Sequence, residues 1–530
     1  SGDAVEIAVT DQTGAQAAEG SYTNWTATGI TNQTIEISSG NNVTVVMADA
    51  SAGTDSLTIN LTSPTADAGF SQTINQISVS DIETLNLNTS GLTASTSDYV
   101  VTTLTDGGTT ALTTLNITGS SSLDLSGTIT ALDLVTVDAS TFTGDLTIDG
   151  VAENQTITGG TGADLFIMGG NLNASDTIDG GDGADVLTAN NAATWTATTG
   201  ALNVTDVETL NLTNGGTAVI DAAAITGATE LAIATNTTSA TITNLAAGTA
   251  VGLGLNNTDG AVTGIVSVAL ADATGSEDAL TFNLNDTAGG NTNLVDLRLS
   301  GVETVTFDVT DATDTSNANY TLDVDALNAA SVVVTGSEAD AGQALILTLL
   351  DTETSSVTAT AFGGVLTASA AATTATTFDV AGNRAHNLTG SGLNDTFTVG
   401  SLSDDAMTID GGVGTADVLN ITFADGVQTL ANVTNVETIN INVTGSADVA
   451  MIAGTELAGI NSANSINFSG GNSLTSVTLG AVGQEELTGD SNVVIDYSNY
   501  TGTTFSHFTV DQFDNSESAL ITVQVIGTAG

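Results

Sequence analysis

The sequence has no cysteine and no lysine, a single proline, two arginines and few aromatics: 13 Phe, 5 Tyr and 2 Trp in 530 residues. Without cysteine there is no disulfide, no zinc–thiolate centre and no thiol nucleophile. Arg298 and Arg384 are the only strong cations against 60 acidic side chains, and the formal charge is −58. Nucleic acid is thereby excluded as a partner, because phosphate docking needs clustered Lys or Arg. An anionic membrane surface is reached only through bridging cations. Pro64 leaves the following 466 residues (530 − 64) free of a side chain that deletes ladder donors, which suits long paired sheets. Apolar runs such as Ala344-Leu345-Ile346-Leu347 are strand-sized, far below the ~20 residues of a membrane-spanning helix. The chain opens Ser1-Gly2-Asp3-Ala4 without a secretory leader. A removed leader, another export signal or a fragment of a longer protein are the three expectations.

What is present is strand chemistry. Asp145-Leu146-Thr147-Ile148-Asp149 alternates, and Ser331-Val332-Val333-Val334-Thr335 is a β-branched run. Both fit a pleated surface, and such segments recur every 8 to 12 residues or so between Gly, Asn, Asp and Ser. The charge keeps the protein soluble but strains a compact state by self-repulsion. Bound divalent cations and a salty exterior would both relieve it.

The chain repeats itself. Val79-Ser80-Asp81-Ile82-Glu83-Thr84-Leu85-Asn86-Leu87 returns at 204–212, 299–307 and 433–441, with Glu208, Glu303 and Glu437 in the place of Glu83. Each copy enters an alternating strand. Its glutamate reads either as an exposed turn residue or as a cation or partner site. Residues 158–212 and 389–441 share one order: glycine repeat, strand, glutamate phrase. The expected organisation is an N-terminal β region (1–154), a first calcium segment (155–190), a central β region (191–385), a second calcium segment (386–420) and a C-terminal β region (421–530).

Gly159-Gly160-Thr161-Gly162-Ala163-Asp164-Leu165-Phe166-Ile167 and Gly180-Gly181-Asp182-Gly183-Ala184-Asp185-Val186-Leu187-Thr188 both fit G-G-x-G-x-D-x-U-x, a parallel β-helix repeat that binds Ca2+. Glycine lets the turn aim carbonyls inward, and carboxylates complete a shell of six to eight oxygens. No single turn supplies so many, so stacked turns must share an ion. The expected donors are the turns of Gly160, Gly162, Gly181 and Gly183 with Asp164 and Asp185, and Asp182 as an extra carboxylate. Asp176, in a degenerate repeat between them, falls on the opposite edge. A looser second set comprises Gly392 with Asp395, and Gly412 and Gly414 with Asp417, with Asp404, Asp405 and Asp410 nearby. Asp395 and Asp417 are 22 residues apart, close to the 21 between Asp164 and Asp185. The competing reading is ordinary Asn/Asp-Gly hairpin turns.

These features predict an all-β, elongated parallel β-solenoid, with tandem β-sandwiches as the alternative. The glycine repeats, the glutamate phrases and Leu134-Val135-Thr136-Val137-Asp138-Ala139-Ser140-Thr141-Phe142-Thr143-Gly144 together resemble RTX-type surface-layer proteins of Gram-negative bacteria. The resemblance implies type I secretion, folding outside the cell on binding Ca2+, and self-assembly into a cell-covering lattice bridged by calcium. It also implies ion ligands at Asp164, Asp182, Asp185, Asp395 and Asp417. Members of that family usually anchor to surface polysaccharide through an N-terminal domain, and nothing here resembles that domain. An RTX adhesin presenting loops from the solenoid is the alternative. An enzyme is not expected: lyase-type chemistry needs a basic group for developing negative charge, and only Arg298, Arg384, His386 and His507 are available.

Overall fold

The computed structural model describes residues 55–62, 71–92, 98–107, 112–131, 133–151, 154–189, 203–212, 217–225, 227–233, 239–254, 265–275, 277–285, 293–309, 319–327, 329–336, 344–349, 354–371, 373–381, 384–401, 407–423, 426–429, 432–444, 447–451, 464–470, 474–479, 491–501, 505–510 and 521–526, with short strands at 7–9, 25–30, 34–37 and 42–47. Among them the only helical piece is the turn Ala222–Ala224, and no helix is long and apolar enough to cross a membrane. The chain divides into two compact units, 1–234 and 235–530, and each contains one glycine segment. Both are parallel β-solenoids. A tandem β-sandwich would pair antiparallel strands, whereas every described ladder within each unit is parallel.

In the first unit, Ser56–Thr62, Thr84–Ser90, Thr114–Gly119, Thr136–Asp138, Thr156–Thr158 and Thr177–Asp179 follow one another up one face. Leu123–Leu125, Leu146–Asp149, Leu165–Gly169, Val186–Ala189, Thr209–Leu212 and Glu230–Ile233 do so on another. A third side is built from Asn42–Met47, Gln76–Ser80, Thr103–Asp106 and Thr128–Ile129. It stops there, before the glycine turns begin. In the second unit the main ladder runs through Ala279–Asn285, Thr304–Val309, Ser331–Gly336, Ser356–Phe362, Thr377–Val380, Thr396–Ser401, Val418–Phe423 and Thr438–Val443.

Coil length tracks the glycine turns. Leu165 lies opposite Val186 and Thr396 opposite Val418, so these coils take 21 and 22 residues. Ser56 lies opposite Thr84 and Thr438 opposite Ser465, which makes 28 and 27. A glycine turn reverses the chain in six or seven residues and leaves no room for a further side.

Alternation places one side chain of each pair inward, and parallel register stacks like on like. Ile148, Phe166, Leu187, Leu210 and Leu231 form one such column, each at most 2% exposed. In the second unit Phe378 stacks on Phe397 with ring centroids 5.2 Å apart and planes 4° from parallel. Each buried Leu or Phe contributes about 1.5–3 kcal/mol. On the outer face, amide ladders accompany the strands: Asn440 Nδ2 donates to Asn420 Oδ1 (2.8 Å), and Asn467 Nδ2 donates to Asn440 Oδ1 (2.7 Å).

Candidate metal centre

The glycine turns sit directly before strands of the main ladder and stack on one another. The Asp182 N–H donates to Gly160 O (3.0 Å), and the Val413 N–H to Ser391 O (3.0 Å). Carbonyls of one turn lie beneath the glycines of the next: a methyl group on Gly183 would fall 2.0 Å from Gly162 O, and one on Gly414 2.3 Å from Leu393 O. Leu393 therefore holds in the second segment the place that Gly162 holds in the first, while Gly392 lies in the exposed part of its turn.

Asp164, Asp185, Asp395 and Asp417 each end a turn and immediately precede a strand, and all are at most 1% exposed. Each reaches back one coil. The N–H of Leu146 donates to Asp164 Oδ1 (2.8 Å), and the N–H of Asp164 to Asp185 Oδ1 (2.7 Å). The N–H of Thr376 donates to Asp395 Oδ1 (2.5 Å), and the N–H of Asp395 to Asp417 Oδ1 (2.6 Å). Charge-assisted bonds of this kind are about twice as strong as neutral ones.

The second carboxylate oxygen separates the two turns of each segment. In the first turn it is satisfied: the Gly160 N–H donates to Asp164 Oδ2 (2.8 Å), and the Ser391 N–H and Oγ–H to Asp395 Oδ2 (2.6 and 2.9 Å). In the second turn Gly181 and Gly412 adopt φ of 92° and 93°, conformations that glycine alone enters freely. There Asp185 Oδ2 and Asp417 Oδ2 are buried without a hydrogen-bond partner. An unsatisfied buried carboxylate oxygen is costly. Burial, followed by the Asp164, Glu208 and Asp179 charges, pushes the Asp185 carboxyl up to about 7 against the opposing Asp164 N–H bond. Burial, then the Glu437, Asp395 and Asp410 charges, pushes Asp417 up to about 6 despite its Asp395 N–H bond. Burial also raises Asp164, with the Gly160 and Leu146 N–H bonds pulling the other way.

The other acidic residues expected at the ion fall in several places. Asp176 precedes Thr177–Asp179 on the opposite side of the coil, and both its oxygens accept N–H bonds, from Gln155 and Asn173 (2.7 Å each). Asp182 is exposed. Asp410 Oδ1 accepts from the Gly412 N–H (3.0 Å) and from Asn435 Nδ2 (2.8 Å). Asp404 and Asp405 lie outside the described residues.

An exposed turn glutamate, one of the two expectations for the repeated phrase, needs correcting. Glu83, Glu208, Glu303 and Glu437 are part-buried. Each accepts, through Oε2, the N–H of an aspartate one coil back: Asp55 (2.7 Å), Asp185 (2.7 Å), Asp278 (2.9 Å) and Asp417 (2.7 Å). The residue two before each glutamate is Asp81, Asp206, Gly301 or Asn435, with φ of 60°, 51°, 70° and 53°. Asp, Asn and Gly are the residues that tolerate this left-handed turn. The turn lowers a carbonyl onto the preceding coil, so a methyl group on Gly180 would lie 1.9 Å from Asp206 O, and one on Gly411 1.9 Å from Asn435 O. The phrase thus caps each glycine segment. The sequence signal for it is the Asp, Gly or Asn two residues before each Glu-Thr step.

Among the described residues, no three Asp, Glu or His side chains converge to hold a metal by themselves. Any ion here would need main-chain oxygens, which the stacked turns supply in an all-oxygen, hard-cation environment. No family model, curated protein or solved structure matches this chain.

Proposed function

We propose that the chain is a structural subunit of a calcium-dependent, self-assembling extracellular layer or filament on a bacterial surface. The observation that carries this reading is the pair of fully buried, unpartnered oxygens on Asp185 and Asp417 beside stacked glycine turns. Buried charge is retained when it is paired or coordinates a metal, and a chain with two arginines and no lysine has almost no cationic side chain to set against it. Ca2+ fits the oxygen-only donors. Asp185 and Asp417, with carbonyls of the adjoining turns, are the residues that would hold it. The ion would supply the cross-link that disulfides supply in other secreted proteins, and at the surface it would bridge acidic faces of neighbouring copies.

A catalytic role has little to stand on. Arg298 pairs with Asp296 (3.0 Å), Arg384 Nε donates to Gly363 O, and His386 is buried with Nδ1 accepting the Leu366 N–H (3.0 Å). These groups hold the solenoid together.

Electron microscopy of the purified chain in CaCl2 and in chelator tests the reading. Sheets or filaments that dissolve on chelation are expected. Monomeric particles in both conditions would overturn self-assembly and favour the adhesin alternative.

A further inference from the structure

Four aspartate–glutamate pairs join consecutive coils, and they are not equivalent. At Asp278–Glu303 the aspartate's Oδ2 accepts the Gly275 N–H (3.1 Å), so that pair is complete without any ion. At Asp185–Glu208 and Asp417–Glu437 the aspartate is 0% exposed and its Oδ2 has no partner. The glutamate is held beside it by its bond to the same residue's N–H (2.7 Å in both). A main-chain carbonyl completes the grouping: the point 1.9 Å from Asp206 O, where a methyl on Gly180 would sit, is 2.6 Å from Asp185 Oδ2. The corresponding point at Gly411 is 1.9 Å from Asn435 O and 2.9 Å from Asp417 Oδ2.

We infer that the glutamate of the repeated phrase is a calcium ligand wherever it follows a glycine segment. One ion is held at Asp185–Glu208 and one at Asp417–Glu437, on the far side of the second turn rather than between the two turns. The inference rests on the calcium reading above and adds to it both the ligand and the location. It gives the repeated order of glycine turn, strand and glutamate phrase a chemical reason. The first turn's aspartate is satisfied by its own turn's N–H. The second turn has swung its glycine into a left-handed conformation and freed an oxygen. The next coil then brings a second carboxylate and a carbonyl to meet it. Two carboxylates, main-chain carbonyls and water make an ordinary Ca2+ shell. Asp55–Glu83 also carries unpartnered oxygens, but both residues are part-exposed and no glycine turn adjoins them, so it lies outside the inference.

Calorimetric titration of chelator-stripped full-length chain with CaCl2 provides the test, with bound calcium counted after dialysis. Glu208→Gln with Glu437→Gln keeps an oxygen for each aspartate N–H and removes only charge, and far-UV circular dichroism checks that the fold persists. This variant should bind two fewer ions than wild type, each single variant one fewer, and E303Q none fewer. Wild-type stoichiometry with affinity within about threefold in the double variant overturns the inference. D185N with D417N is the second pair. Each asparagine retains Oδ1 for the N–H of the coil before, and the same loss of two ions is expected; full retention is equally fatal. Sedimentation of wild type with and without chelator separates the two claims. Chelator-sensitive assembly with fully retained binding in E208Q/E437Q sinks only this inference, and a wild type that binds no calcium sinks both.

Discussion

The first glycine segment matches its repeat without a gap, whereas the second departs by about a residue in each turn. Even so, Asp164 and Asp395, Asp185 and Asp417, and Glu208 and Glu437 take matching places. What the two regions have in common is the position of an acid immediately before a strand of the main ladder. The spacing of the glycines is secondary. Leu393 stands where Gly162 stands, because only a carbonyl is needed there. Ser391 replaces Gly160 and adds a hydroxyl to the N–H on Asp395. Glycine is indispensable where one coil's backbone presses on the next, at Gly180 and Gly411.

The sharpest way to break this comparison is to add a methyl group at those two positions. Gly180→Ala and Gly411→Ala each put a Cβ 1.9 Å from a main-chain carbonyl, and neither backbone can move without shifting a stacked coil. Overpacking of this kind costs about 3 kcal/mol. Gly169→Ala, with φ of 52° but nothing within 4 Å, should cost only about 1 kcal/mol. Denaturant unfolding measures all three. Equal losses at Gly180 and Gly411 support one geometry in both segments, and a harmless G411A would mean the looser segment does not stack as described.

Strands and turns are legible in the sequence because their causes are local. Period-two alternation such as Thr84-Leu85-Asn86-Leu87 fixes strand faces, and glycine spacing fixes turns. Both are properties of a few adjacent residues. The Asp–Glu pairs are hidden because pairing across coils depends on coil length, which varies from 21 residues at Leu165–Val186 to 30 at Thr84–Thr114. A glutamate at a polar turn carries no mark of a partner 23 residues earlier, as Glu208 has in Asp185. The left-handed residue two positions before it is the available clue.

Acid titration sharpens the comparison at the next level. The Asp185 and Asp417 carboxyls lie above their ordinary value, at about 7 and about 6, so the folded chain holds these protons more tightly than the unfolded chain. Their contribution to the metal-free protein is fully present below about pH 4, the ordinary aspartate value. It is lost as pH rises through about 6 for Asp417 and about 7 for Asp185. Thermal midpoints of calcium-free protein should therefore fall between pH 5 and 8. D185N should flatten the upper part of that fall and D417N the lower part. Self-repulsion of the remaining charge acts in the same direction, so the difference between wild type and variant is the quantity to read. Identical slopes would remove Asp185 and Asp417 as the coupled groups.

The smallest effect separates the segments' outer turns. Asp182 and Val413 occupy the same turn position, and both are exposed, Val413 at 83%. Exchanging them (D182V with V413D) leaves every cross-coil bond described above in place, so stability should change by less than about 0.5 kcal/mol. Calcium affinity decides more. If Asp182 is an extra donor, as its place in the repeat suggests, D182V should weaken the first segment and V413D should strengthen the second. If the ion lies beyond the turn at Asp185–Glu208, the exposed side chain contributes only distant charge, screened within about 8–10 Å at ordinary salt. Each affinity should then move by less than about threefold, and less still as salt is raised. A larger, salt-resistant exchange of affinities between the segments would place the ion back at the turn face and leave Glu208 and Glu437 as structural caps alone.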